Sequence, residues 1–183
     1  MTRRAEQYVA CVGARWGWEV LDRLDGLPIL GAGPETYGLG TGLAAALAYR
    51  RPRYVFFLNW SWVVPPYITD AFECVNFHCT ALPYGRGGNP IENLIRRGHT
   101  ETVITAHRMT AQLDAGPLYA RSGAVSLEGD KSAITARFVE PVAELVRHIV
   151  RLQPRPRQQK GEVVRFKRLT PEEYDLFWKE RTR

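Results

Sequence analysis

The sequence predicts an α/β domain, and three observations carry that expectation. Apolar runs of strand length recur along the chain, helix-like segments alternate with them, and the runs break off at Gly- and Pro-rich exits. A chain of 183 residues is long enough for one sizeable core. With 45% hydrophobic and 24% charged residues, its composition is that of an ordinary soluble globular protein.

Taken in order, residues 7–13 (Gln-Tyr-Val-Ala-Cys-Val-Gly) read as a first buried strand. Residues 18–24 read as a short helix with Trp18, Leu21 and Leu24 on one face. A second apolar run, 28–33, is bounded by Gly. Gly31-Ala32-Gly33-Pro34-Glu35-Thr36 resembles half of a dinucleotide fingerprint. Thr36 stands where the third Gly belongs and Pro34 offers no amide, so a turn after a strand is expected instead. Residues 43–49 form an Ala-rich helix and 54–58 a strand, whose end carries Asn59-Trp60-Ser61-Trp62-Val63-Val64-Pro65-Pro66. The central strand is 74–78, after which Leu82-Pro83-Tyr84-Gly85-Arg86-Gly87-Gly88-Asn89-Pro90 takes the chain out of the sheet. A helix over 91–97 is entered at Pro90 and closed by Gly98. Strands follow at 103–109 and 117–122. The longest helix spans 131–152, with Ile134, Phe138, Val142, Leu145, Ile149 and Leu152 spaced by three or four. A polar loop over 153–161 leads to a short edge strand, 163–166, and to a last helix capped by Thr170. No break divides domains, so one domain is expected: an α/β core over 1–152 and an extension over 153–183.

Charge and cysteine usage narrow the function classes. Of the formal charge of +6, most sits at the end: residues 151–183 hold ten Lys/Arg against five Asp/Glu. A solvated surface, an anionic substrate such as a nucleotide diphosphate, and nucleic acid would each fit. No RNA-binding motif, zinc finger or helix-turn-helix pattern supports nucleic acid. The first residues, Met1-Thr2-Arg3-Arg4-Ala5-Glu6, precede no apolar segment, so no secretory signal is expected. No apolar stretch is long enough to span a membrane. Three cysteines, Cys11, Cys74 and Cys79, are an odd number without framework spacing, which points to a reducing cytoplasm. Cys74 and Cys79 fall on opposite strand faces, and there is no C-x-x-C, so no metal is expected.

The chemistry gathers around Val75-Asn76-Phe77-His78 and Gln112-Leu113-Asp114-Ala115-Gly116-Pro117. Side chains two apart on a strand share a face, so Asn76 and His78 stand side by side at the strand's exit, where open α/β sheets place their ligands. Asp114, after the next strand, can bring a carboxylate to the same crevice. An amide donor, an imidazole and a carboxylate suit acyl transfer: the amide holds an oxyanion, the imidazole moves a proton, the carboxylate orients the imidazole. Each also has a plain reading, as a strand-end Asn, a core His or an Asx turn. Trp60 and Trp62 are either core aromatics or the walls of a slot for a flat ring. Arg86, in a loop open to close approach, pairs either with a substrate anion or with a neighbouring carboxylate.

Asn76-Phe77-His78, Leu82-Pro83, Arg86-Gly87, Pro90 and Leu113-Asp114-Ala115-Gly116 together resemble the folate-dependent formyltransferase family. Its members include glycinamide ribonucleotide transformylase, methionyl-tRNA formyltransferase and the amino-sugar N-formyltransferases. The resemblance covers roughly residues 54–140 and implies a Rossmann-like domain with a mostly parallel central sheet flanked by helices. It implies Asn76, His78 and Asp114 as catalytic residues and His107 as a further active-site His, placed with the cofactor-binding residues and lending structural support. It also implies folate contacts at 58–65, including Trp60, Trp62, Val63 and Val64. Cys79-Thr80-Ala81 departs from the family's usual Pro-Ser-Leu, and the residues after the core leave no room for a C-terminal barrel.

The implied activity is transfer of a formyl group from 10-formyltetrahydrofolate to a primary amine, foremost that of a nucleotide-linked amino sugar. Phosphates of such a substrate would meet Arg86, Gly87 and Lys167, the last beside Arg165 and Arg168. Two alternatives stand beside it: hydrolysis of 10-formyltetrahydrofolate, and a non-catalytic RNA-binding protein. A homodimer through the C-terminal segment is compatible with the sequence.

Overall fold

The computed structural model describes residues 8–32 and 41–181. The expectations for residues 1–6 and for the Gly33-Pro34-Glu35-Thr36 turn lie outside the described residues. The elements follow in the order β1 (Tyr8–Val12), α1 (Arg15–Asp22), β2 (Ile29–Ala32), α2 (Thr41–Arg50), β3 (Tyr54–Leu58), α3 (Pro66–Thr69), β4 (Cys74–His78), β5 (Tyr84–Gly87), α4 (Pro90–Arg96), β6 (Glu101–Thr102), β7 (Thr105–Arg108), β8 (Leu118–Arg121), β9 (Val125–Ser126), α5 (Lys131–Leu152), β10 (Val164–Phe166) and α6 (Pro171–Arg181).

Strands β1 and β3 are buried along their whole length, as uninterrupted apolar strands in a sheet covered on both faces must be. Together with β2, β4, β7 and β8 they form one sheet in the order β2-β1-β3-β4-β7-β8. The first four strands run parallel, β7 runs against them and β8 runs with them again, so β4 sits where parallel pairing gives way to antiparallel. Period-two alternation divides the apolar side chains between two cores. Tyr8, Ala10, Val12, Tyr54, Phe56, Leu58, Val75 and Phe77 face one core, with Ile134, Phe138, Val142, Leu145 and Ile149 of α5 against them. Val9, Cys11, Val55, Phe57 and Cys74 face the other, beneath Leu43 and Leu47 of α2 and Ile68 of α3. Asn76 and His78 share the parity of Cys74 and so belong to the face covered by α2.

The long helix spans the residues expected, with Asp130 as its cap: the carboxylate accepts the Ala133 amide at 2.8 Å. It also carries Pro141 in its interior, where the missing N–H opens one rung. The buried Phe138, Val142 and Leu145 around that rung hold the helix on the sheet. Helix α1 begins earlier than the expected 18–24, because Trp16 packs edge-on against Phe138, with ring centroids 6.2 Å apart. The expected strand 103–109 is shorter, β7 running from Thr105 to Arg108 after Ile104 donates its amide to the Ser122 hydroxyl, and a separate two-residue strand before it, β6, pairs with β9.

The stretch 82–90 does leave the main sheet, but it is not all loop. Tyr84–Gly87 forms β5, and the expected edge strand near 163–166 pairs with it in parallel rather than with the main sheet. Gly87 permits this at φ 115°, where a Cβ would stand 2.4 Å from the Phe166 carbonyl oxygen. The C-terminal segment therefore returns to the strand-exit region of the sheet. Thr170 and Glu173 cap α6 reciprocally, each side chain accepting the other's amide. From α6, Trp178 donates its Nε1–H to the buried Glu92 at 2.8 Å.

Candidate active site

The β4–β7 register sets Asn76 directly opposite His107. Asn76 Nδ2 lies 3.5 Å from His107 Nε2, the long limit of a hydrogen bond, so the amide remains a donor with capacity to spare. His107 Nδ1 donates to the Arg108 carbonyl at 3.0 Å, which directs Nε2 into the site. His78, at the end of the same strand, is buried. Its Nε2 donates to the Gly85 carbonyl at 2.8 Å, so the ring is held by β5 and only Nδ1 is left for chemistry.

Asp114 comes from the β7–β8 connection. It is buried and held in the left-handed region at φ 51°. Its Oδ2 accepts the Gly87 amide at 2.9 Å and lies 3.8 Å from His78 Nδ1, while Oδ1 lies 3.6 Å from His107 Nε2. One carboxylate thus stands between two imidazoles. The loop closes tightly behind it, since a Cβ on Gly116 would stand 1.9 Å from the Arg108 carbonyl oxygen.

Electrostatics set the resting charges. Burial pushes His78 below the ordinary imidazole value, and neither the Asp114 charge nor the Gly85 bond makes up for it. Near neutral pH the His78–Asp114 contact is therefore a carboxylate facing a neutral ring rather than an ion pair. Burial alone would push Asp114 up. The His107 Nε2 contact, the positive charge that His78 and His107 carry once protonated, and the Gly87 amide outweigh it and hold the carboxyl at about 2. Cys11, Cys74 and Cys79 are free and buried, and burial pushes each thiol up to about 12, which removes them as nucleophiles. No group of three or more His, Cys, Asp or Glu among the described residues is arranged to hold a metal ion.

The other expected contact residues divide. Trp60 and Trp62 meet edge to face at 5.0 Å, and Trp60 meets Phe57 the same way at 5.4 Å. They do not stand as two parallel walls. Edge-to-face contact satisfies the ring quadrupoles, and Trp60 is packed against the α2-side core. Trp62 and Val63 remain exposed and Val64 is buried. Trp60 Nε1 is buried with no hydrogen-bond partner among the described residues, the kind of orphan donor that a polar heterocycle at this strand end would satisfy.

Among the described residues Arg86 meets no carboxylate, and it is closed off from open solvent. It is 9% exposed, and its Nε and Nη2 both donate to Gln159 Oε1, at 3.1 and 2.7 Å. The Gly87 amide is spent on Asp114. The structure thus turns both away from the anion-binding role expected of them, because the parallel β5–β10 pairing covers this turn. Lys167 is exposed, next to β10 and beside Arg168, whose side chain packs against Gly88. Sequence reasoning missed Gly85 and Gln159. Gly85 acts through its carbonyl, which carries no sequence signal, and Gln159 lay unremarked in a polar loop.

Asn76, His78, His107 and Asp114 thus meet at the end of β4, in a sheet of the order β2-β1-β3-β4-β7-β8. The family model described as formyl transferase matches residues 41–148, and the chain belongs to that family. Methionyl-tRNA formyltransferase of Campylobacter curvus (strain 525.92) is 33% identical over 100 residues, covering 55% of this chain and 33% of that protein. The matches span between 22% and 37% of the length of the curated relatives. Among solved structures, methionyl-tRNA formyltransferase from Clostridium thermocellum matches with a TM-score of 0.81 and 26% identity, over 91% of this chain and 74% of that one. The formyltransferase PseJ from Anoxybacillus kamchatkensis shares the fold, with a TM-score of 0.68 at 17% identity, over 93% of this chain and 90% of that one.

Proposed function

We propose that this chain moves a formyl group from 10-formyltetrahydrofolate to a primary amine. The observation that carries the reading is the Asn76–His107–Asp114–His78 cluster within the family-matched residues. Asn76 Nδ2, under-used at 3.5 Å, donates to the formyl oxygen as it gains negative charge. One such donor is worth about 3 kcal/mol of barrier. His78 enters neutral, its Nε2–H tied to Gly85, so Nδ1 accepts the proton that the attacking amine sheds. Asp114 stabilises the resulting imidazolium, and Nδ1 then returns the proton to the departing nitrogen. His107 serves as support, fixing Asn76 and Asp114 in register. The strand end at Trp60, Trp62, Val63 and Val64 takes the folate, with Trp60 Nε1 as a waiting donor.

The amine is that of a nucleotide-linked amino sugar. PseJ, of the same fold, was solved with UDP-4,6-dideoxy-4-formamido-L-AltNAc and tetrahydrofolate. With Arg86 and Gly87 engaged elsewhere, the phosphates of such a substrate fall to the exposed Lys167 and Arg165. A second reading, the amine of an aminoacyl-tRNA, is favoured by the methionyl-tRNA formyltransferases among the relatives. Incubation with 10-formyltetrahydrofolate and either nucleotide amino sugars or methionyl-tRNA, followed by mass spectrometry, tests the reading. One added formyl group on a nucleotide amino sugar supports it. Formyl-methionyl-tRNA alone would replace the sugar by tRNA. Consumption of the folate at one rate with or without any amine would make the protein a hydrolase.

A further inference from the structure

Gln159 lies in the loop between α5 and β10, beyond the residues matched by the family model. Its side-chain amide is fully used. Nε2 donates to the Asp114 carbonyl and to the Gly116 carbonyl, both at 2.8 Å. Oε1 accepts both donors of the Arg86 fork. The orientation of the amide is fixed by this network, because Arg86 offers only donors and the two carbonyls only acceptors. The backbone that Gln159 grips is the strained part of the site. Asp114 is a non-glycine residue at φ 51°, a conformation that the surroundings must over-determine to persist. The Asp114 side chain has its own anchor in the Gly87 amide, one residue from Arg86. Arg86 and Gly87 therefore hold the same loop by two routes, one through Gln159 to the main chain and one directly to the carboxylate. A buried guanidinium on Oε1 also strengthens the two amide donors on the far side of the same group.

We propose that Gln159, backed by Arg86, is a positioning residue that fixes Asp114 between His78 and His107. The proposal rests on the reading that Asp114 serves formyl transfer, but it makes a claim about geometry that can be measured without activity. Two variants test it. In Gln159→Glu the Arg86 fork keeps an acceptor, while the two carbonyls lose their donor. In the double variant Arg86→Met, Gln159→Met the polar pair is replaced by apolar side chains of similar length, which leaves no buried charge unpaired. The readouts are the chemical shift of the Gly87 amide proton, which reports its bond to the Asp114 carboxylate, and kcat against KM for both substrates. We expect the Gly87 amide proton to move upfield in each folded variant. We expect kcat to fall by about tenfold to a hundredfold, the range that a displacement of about 1 Å costs, while KM stays within about twofold for the folate and the amine. Rescue of neither quantity by lowering the temperature is expected, since the loss is of geometry and not of folded fraction. An unchanged Gly87 amide in a folded variant overturns the proposal. So does a kcat loss that only tracks the unfolded fraction in a thermal melt. If the wild-type protein transfers no formyl group, the functional reading fails, and the Gly87 shift still decides the role of Gln159.

Discussion

At the scale of single residues the site rests on a few hydrogen bonds whose partners are backbone. Gly85 O holds His78, Arg108 O holds His107 and Gly87 N holds Asp114. Asn76 alone among the four has no short hydrogen bond to a described residue, and under the proposed function it is the oxyanion donor. Asn76→Ala is therefore expected to lower kcat by about 10²–10³ with the fold intact and folate affinity little changed. A variant with near-wild-type turnover would take the oxyanion away from Asn76. The titrating pair makes a second prediction. Asp114, held at about 2 when folded, adds stability that is present above its ordinary 3.8 and is lost as pH falls toward 2. His78 is lowered on folding, so below its ordinary 6.5 the unfolded chain takes up a proton that the folded chain resists, and stability falls there too. Urea midpoints should thus decline on acidification in two stages, and Asp114→Asn should flatten the lower one. A lower stage unchanged in that variant would show that another group causes it.

At the scale of elements, local sequence decides most of what is seen. The cap of α5 is one such case: Asp130→Ala should cost about 1 kcal/mol, read as a lower urea midpoint at an unchanged denaturant slope. The strand end after β3 is less local. Trp62 is the exposed partner of an edge-to-face pair, so Trp62→Ala should raise KM for the folate more than for the amine and leave the melting temperature nearly unchanged. Equal losses for both ligands, or a lost fold, would make Trp62 a core residue. Arg86 shows where element-level reasoning ends. A Gly-flanked arginine after a catalytic strand reads as an anion site, but β5 is a strand whose partner, β10, lies far along the chain. Once that pairing forms, the arginine is covered and its fork points at Gln159.

At the scale of the whole molecule, the C-terminal segment is part of the site's construction. It supplies β10, Gln159, the Asn93 contact through the Lys167 carbonyl, and the Trp178–Glu92 bond. Under the function proposed above, its exposed cations Arg165 and Lys167 are assigned to an anionic amine substrate. Lys167→Ala and added salt should each raise KM for the amine and spare that for the folate, because exposed pairs are screened within about 8–10 Å at ordinary ionic strength. An amine KM independent of salt would show that this charge does not serve the substrate.

The sequence by itself determined what depends on near neighbours. The α/β class followed from apolar runs and helix periodicity. The shared face of Asn76 and His78 followed from the two-residue repeat of a strand. The long helix over 131–152 followed from the spacing of Ile134, Phe138, Val142, Leu145 and Ile149. These are properties of a chain's own backbone geometry and need no distant partner. Tertiary structure alone decided which parts of the chain complete the site. The Arg86–Gln159 contact joins residues 73 positions apart, and the Gln159–Asp114 contact joins residues 45 apart. The placing of His107 opposite Asn76 depended on an antiparallel register across a 31-residue gap. Such contacts are chosen by which surfaces meet when the whole core closes, and a polar side chain in a loop carries no local mark of the partner it will find.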